Sequence, residues 1–107
     1  MAATTRIVFP AEAKKGAVVE IKTLIRHEME TGHRRDNFGK PIPRDIINAF
    51  VVTYAGEEVF RAELFPGIAA NPYFAFTTVA TETGEIVFTW TDDRGRQTIE
   101  KRTLKVL

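Results

Sequence analysis

Apolar and polar positions alternate with a period of two in two segments of this chain. The cleanest case is residues 85–91, where Ile86, Phe88 and Trp90 interleave with Val87, Thr89 and Thr91. The first set carries far more apolar area, which predicts a strand with those three side chains turned into a core. Residues 17–25 repeat the alternation, with Val19, Ile21, Thr23 and Ile25 on one face and Glu20 and Lys22 opposite, as in a strand with one side in water. Five further segments rich in Val, Ile, Thr, Phe and Tyr (residues 4–9, 46–54, 59–65, 73–80 and 96–106) bring the predicted strands to about seven.

The punctuation between them agrees. Ala55-Gly56-Glu57-Glu58, Thr83-Gly84 and Asp92-Asp93-Arg94-Gly95 each place a Gly where a tight reversal tolerates positive φ. Ile99 falls out of phase with Leu104 and Val106, which predicts a bulge at residues 100–102. No segment sustains a helical period, and a single helical turn at residues 43–47 is the most helix the pattern allows. Seven short strands in 107 residues, with no internal repeat, predict one domain over residues 1–107: an all-β, immunoglobulin-like antiparallel sandwich.

Composition narrows the function classes. Fifteen basic and fourteen acidic residues are spread along the whole length, so no basic block tracks a phosphate backbone and nucleic acid is not expected as a partner. The absence of cysteine excludes disulfides, iron–sulfur ligation, thiolate zinc sites and thiol nucleophiles belonging to this chain. No apolar run reaches the ~20 residues of a membrane helix or the ~7–15 of a secretory signal, so neither a membrane span nor a signal is expected, and composition alone points weakly to the cytoplasm.

Residues 27–45 break the rhythm. This stretch between two predicted strands is far longer than the ~4–6 residues typical of a connection, and loops of such length are usually functional or disordered. It holds both histidines, but His27 and His33 lie six apart, matching no standard two-histidine metal spacing, and a solvated polar loop is the favoured reading of Glu28, Glu30 and Asp36 around them. Met29 keeps copper open as a ligand class and is equally suited to be an apolar anchor. Arg34, Arg35, Lys40 and Arg44 against Asp36 and Asp45 leave the second half of the loop net positive, fit to steer an anionic ligand or acidic peptide, or simply to serve as a solubilising rim. Pro41 and Pro43 restrict the free loop and pre-organise it for contact. Asp92 and Asp93 belong to a hairpin turn rather than a calcium loop, and Trp90 to the core.

Three segments carry a resemblance: His27-Glu28-Met29-Glu30-Thr31-Gly32-His33-Arg34 with Gly39-Lys40-Pro41-Ile42-Pro43-Arg44, then Ile68-Ala69-Ala70-Asn71-Pro72-Tyr73, then Phe88-Thr89-Trp90-Thr91-Asp92-Asp93-Arg94-Gly95. In order and spacing they resemble the SoxZ family of bacterial sulfur-oxidation proteins over nearly the whole chain. One departure is Glu28, where that family commonly has proline. The resemblance implies a non-catalytic immunoglobulin-like subunit without cofactor or metal. It would pair with SoxY, whose Gly-rich C-terminal arm carries the sulfur substrate on a cysteine, and present that arm to the other enzymes of thiosulfate oxidation. It also implies the periplasm, reached by co-export with a signal-bearing partner. The residues expected to meet the partner or client enzymes are His27, Met29, Glu30, Arg34, Arg35, Ile42, Arg44, Asn71 and Pro72, and an isolated subunit is expected to self-associate. Two other classes fit the residues: a small copper or metal carrier using His27, Met29 and His33, and a generic β-sandwich ligand-binding module.

Overall fold

A computed structural model describes residues 4–107. The seven predicted strands are present with ends displaced by at most two residues: β1 (Thr5–Val8), β3 (Val18–Ile25), β4 (Ile47–Tyr54), β5 (Glu57–Glu63), β6 (Tyr73–Val79), β7 (Gly84–Asp92) and β8 (Gln97–Val106). An eighth, the two-residue β2 (Glu12–Ala13), pairs parallel with the end of β8, and its length carries no periodic signal. The strands form two sheets, β1-β3-β6 and β2-β8-β7-β4-β5. This is the predicted all-β sandwich.

The alternation works as its apolar area dictates. Val19, Ile21, Thr23 and Ile25 of β3 and Ile86, Phe88 and Trp90 of β7 are all buried, and the Thr23 hydroxyl donates to Phe74 O at 3.1 Å. Aromatic contacts run along the five-stranded sheet from Trp90 to Phe50 and cross to the other sheet at Phe74 and Phe76. Phe50 of β4 stacks on Trp90 at 4.7 Å and on Phe74 of β6 at 5.6 Å, and Phe60 of β5 stacks on Phe76 of β6 at 4.4 Å. Such pairs add about 0.5–1.5 kcal/mol each beyond the area they bury.

Three local expectations are corrected. The register of β7 on β8 runs unbroken from Gly84↔Leu104 to Thr91↔Gln97, so there is no bulge at residues 100–102. Ile99 instead faces outward, 50% exposed, opposite Thr89, while the inward phase of β8 carries Glu100 and Arg102. That stretch is a sheet edge, because β2 reaches only Lys105 and Val106, and inward charge on an edge discourages pairing with other chains. The irregularities fall in β4, between Ile47 and Ala49 and between Val52 and Thr53. No helix occurs among the described residues: Glu30 and Asp45 exchange backbone hydrogen bonds of 2.9 and 2.8 Å, which holds residue 45 extended where a helical turn was expected. Gly84 does not take positive φ either. It opens β7 against the Ala55-Gly56 turn, where a Cβ would sit 3.1 Å from that of Ala55, so its missing side chain serves close packing. The Tyr54 hydroxyl holds the reversal before it, accepting from Thr81 N and Glu82 N at 3.2 and 3.1 Å and donating to Glu82 O.

Strand directions then decide what meets what. β3, β5 and β7 end, and β4, β6 and β8 begin, at the same end of the sandwich. The connections at residues 26–46, 64–72 and 93–96 are therefore neighbours, and they contain most of the three segments that carry the family resemblance.

Candidate functional site

The loop end is built around three aspartates. Asp93, in the β7–β8 turn, receives Arg44 Nε at 2.8 Å and the Ile46 amide at 3.2 Å on Oδ2, and Arg44 Nη2 at 3.2 Å and Asn48 Nδ2 at 3.1 Å on Oδ1. Arg44 hydrogen bonding holds its carboxyl below the ordinary range against a smaller upward push from burial, with Asn48 and the Ile46 amide assisting. Asp92, 7% exposed, closes its own turn by accepting Arg94 N and Arg96 N at 2.9 Å each and Arg96 Nε at 2.8 Å. Burial pushes this carboxyl up, but the bonds from the Arg96 backbone and side chain and the Arg94 amide outweigh it, and the net direction is down. Asp45 Oδ2 takes Arg96 Nη2 at 3.3 Å and Arg94 Nε at 3.5 Å, tying the base of the long loop to the same turn.

His27 sits beside this network. Its Nδ1 accepts the Met29 amide at 2.9 Å, so that nitrogen carries a lone pair and the proton resides on Nε2, which faces Asp45 Oδ1 at 3.9 Å. Its backbone is clamped to the connection at residues 64–72 by reciprocal bonds with Asn71, whose φ of 55° lies in the left-handed region that Asn tolerates. His27, Asp45 and Asp92 bring one ligand-capable atom each within 4.8 Å of one another, but two arginines already compensate the carboxylates. His33 is exposed on the hairpin and is not part of that trio.

The long loop itself is an irregular β-hairpin. Beyond the Glu30–Asp45 pair, Ile42 N donates to Arg34 O at 2.8 Å and Asp36 N to Lys40 O at 2.9 Å, and Asp36 Oδ1 caps the tip by accepting Phe38 N and Lys40 N at 2.8 and 3.0 Å. Met29 roots it. At φ 56° and 5% exposed, Met29 packs in the core, and its sulfur accepts the Ile47 amide at 3.2 Å. Of the residues expected to meet a partner, Arg34, Arg35, Arg44 and Asn71 are exposed, and His27, Glu30 and Ile42 are half-buried. Met29 and Pro72 are buried, and Pro72 O accepts the Ile25 amide at 3.3 Å. Arg34 pairs with Glu30 along the hairpin, and this hydrogen bond lowers the Glu30 carboxyl. Sequence reasoning missed the structural part of Asp92 and Asp93, whose partners are up to 49 residues away. It also missed Phe38, which stands at the hairpin tip, 87% exposed.

Fold and site together define an immunoglobulin-like β-sandwich whose charged residues at the loop end serve chiefly to clasp the long loop to the β7–β8 turn, while Asn71 ties the connection at residues 64–72 to His27. The family described as "Sulphur oxidation protein SoxZ" matches residues 6–103, and the chain belongs to that family. Its role therefore lies in sulfur oxidation. No curated protein matches the chain by sequence. Among solved structures, superoxide reductase (neelaredoxin) from Ignicoccus hospitalis is similar with a TM-score of 0.71 at 15% identity, over 97% of this chain and 80% of that one. The sulfur carrier protein SoxY from Chlorobium limicola f thiosulfatophilum is similar with a TM-score of 0.67 at 15% identity, over 96% and 78%. Hypothetical protein PH1083 from Pyrococcus horikoshii OT3 follows with 0.63 at 11%, over 98% and 90%. At these identities the likeness is one of fold.

Proposed function

We propose that this chain is the non-catalytic Z subunit of a periplasmic SoxYZ carrier in thiosulfate oxidation. It pairs with SoxY, whose cysteine-bearing arm holds the sulfur intermediate, and presents that arm to the enzymes that load, oxidise and release the sulfur. The family match over residues 6–103 carries the reading. Two features support it. The described residues contain no thiol, as befits a subunit whose chemistry is done on another chain. The outer face of the β1-β3-β6 sheet exposes Val8, Val18, Tyr73 and Val79, and edge strands lie open on both sheets, surfaces that a second sandwich would cover. The clasped loop end, with His27, Glu30, Arg34, Arg35, Ile42, Arg44 and Asn71 at its surface, would recognise the partner or client enzymes, while Met29 and Pro72 fix its shape from beneath.

The test is co-expression with SoxY followed by size-exclusion chromatography and thiosulfate-dependent turnover with the remaining enzymes of the system. A stoichiometric complex that is required for turnover is expected. Full turnover by SoxY without this chain, or no complex at all, overturns the reading.

A further inference from the structure

The hairpin tip holds one large apolar side chain, Phe38, where an unpartnered polar loop has no reason to carry it. Residues 33–41 are exposed without interruption, and Phe38, the most exposed large apolar side chain among the described residues, lies at their centre. Every hydrogen bond made by residues 34–42 ends within residues 30–42, so no hydrogen bond ties the tip to the rest of the chain. The molecule is 58 Å long and about 20 Å wide. A ten-residue strand accounts for about 33 Å of that length, and the hairpin is long enough to supply much of the remainder as a projection from the loop end.

The tip is also pre-shaped. The Asp36 carboxylate caps the turn, Gly39 N returns to Asp36 O at 3.1 Å, and Arg35 Nη1 donates to Gly39 O at 2.8 Å, so the ring of Phe38 is held out by backbone geometry rather than by packing. Arg35 and Lys40 flank it, and neither joins an ion pair among the described residues. An exposed aromatic on a rigid base inside a cationic collar matches the composition of interface anchors, where aromatic residues and Arg dominate and pre-organisation lowers the cost of binding.

We propose that Phe38, with Arg35 and Lys40, is a docking knob that inserts into an apolar pocket rimmed by carboxylates on a protein that visits this chain transiently. The proposal rests on the carrier reading above, in which client enzymes come and go while the pairing with SoxY persists. The collar speeds encounter with an acidic surface, and the aromatic ring sets the lifetime of the complex.

The experiment uses the complete SoxYZ complex, as wild type, Phe38→Ala and Arg35→Glu/Lys40→Glu, as the varied substrate in reconstituted thiosulfate oxidation. Phe38→Ala is expected to raise the KM for the carrier about tenfold or more with kcat and SoxY pairing unchanged. The charge-reversed pair is expected to raise KM at low salt and to lose that defect as salt increases. A KM within about twofold of wild type for Phe38→Ala overturns the knob while leaving the carrier reading intact. Failure of the wild-type chain to pair with SoxY removes both. Phe38-dependent sedimentation with anionic lipid vesicles, or Phe38-dependent dimerisation of the complex, replaces the protein pocket by a membrane or a second copy and also overturns the proposal.

Discussion

Replacing Met29 with Ala should lower the stability of the fold by about 3 kcal/mol. Truncating a buried methionine typically costs about 2–5 kcal/mol, and here the sulfur that accepts the Ile47 amide at 3.2 Å is lost as well, leaving a buried N–H without its partner. The left-handed backbone at residue 29 contributes little to the difference, because Ala carries the same Cβ penalty there as Met. An unfolding entropy of about 2.1 cal/mol/K per residue gives roughly 0.22 kcal/mol/K for a chain of this size, so the melting temperature should fall by about 13 °C. Circular dichroism melts and urea titration at neutral pH measure the loss, and hydrogen exchange at residues 30–45 shows whether the hairpin loosens first. Met29→Leu, which conserves volume, should recover all but about 1.5 kcal/mol. An Ala variant melting within about 2 °C of wild type would refute the placement of Met29 as the hairpin's root. A Leu variant as damaged as Ala would refute the larger share given to bulk and assign the effect to the sulfur that accepts the Ile47 amide.

The acid limb of stability should trace to Asp92 and Asp93. Both carboxyls are held below their ordinary value of 3.8 in the folded state, so their contribution is complete above that value and disappears as pH falls through the lowered ones. Asp92→Asn and Asp93→Asn should each lower stability at pH 7 and flatten its decline below about pH 4; a wild-type acid limb in both variants contradicts the assignment. Tyr54→Phe should cost about 1–3 kcal/mol in urea titration, because Thr81 N and Glu82 N lose their shared acceptor. A loss under about 0.3 kcal/mol would show that water replaces the hydroxyl there.

Much of the fold was legible because a half-buried strand writes its two faces into alternate positions. Ile86, Phe88 and Trp90 could be assigned to a core from area alone, and the turn after Ala55 from Gly56, which takes φ 85°; the positive φ of 51° at Ala55 itself has no mark in the sequence. Phase failed at Ile99 because alternation registers apolar residues, whereas that position is decided by an unbroken pairing with β7 and by the absence of a full-length neighbour beyond β8. Glycine was over-read at Gly84, where the constraint is a close approach to Ala55 from 29 residues away and not a turn.

The sequence by itself determined the seven longer strands, the core side chains of the alternating ones and the family to which the chain belongs, because these depend on local periodicity and on motifs in linear order. Only the tertiary structure decided what the charged residues of the loop end do. Arg44 and Asp93, and Asp45 and Arg96, are distant in the chain and meet because the strand directions bring three connections to one end of the sandwich. That same placement turned Met29 inward as a root and left Phe38 outward as a tip. Two apolar residues of one loop, nine positions apart, thus have opposite roles, and only their burial, 95% for one and 13% for the other, separates them.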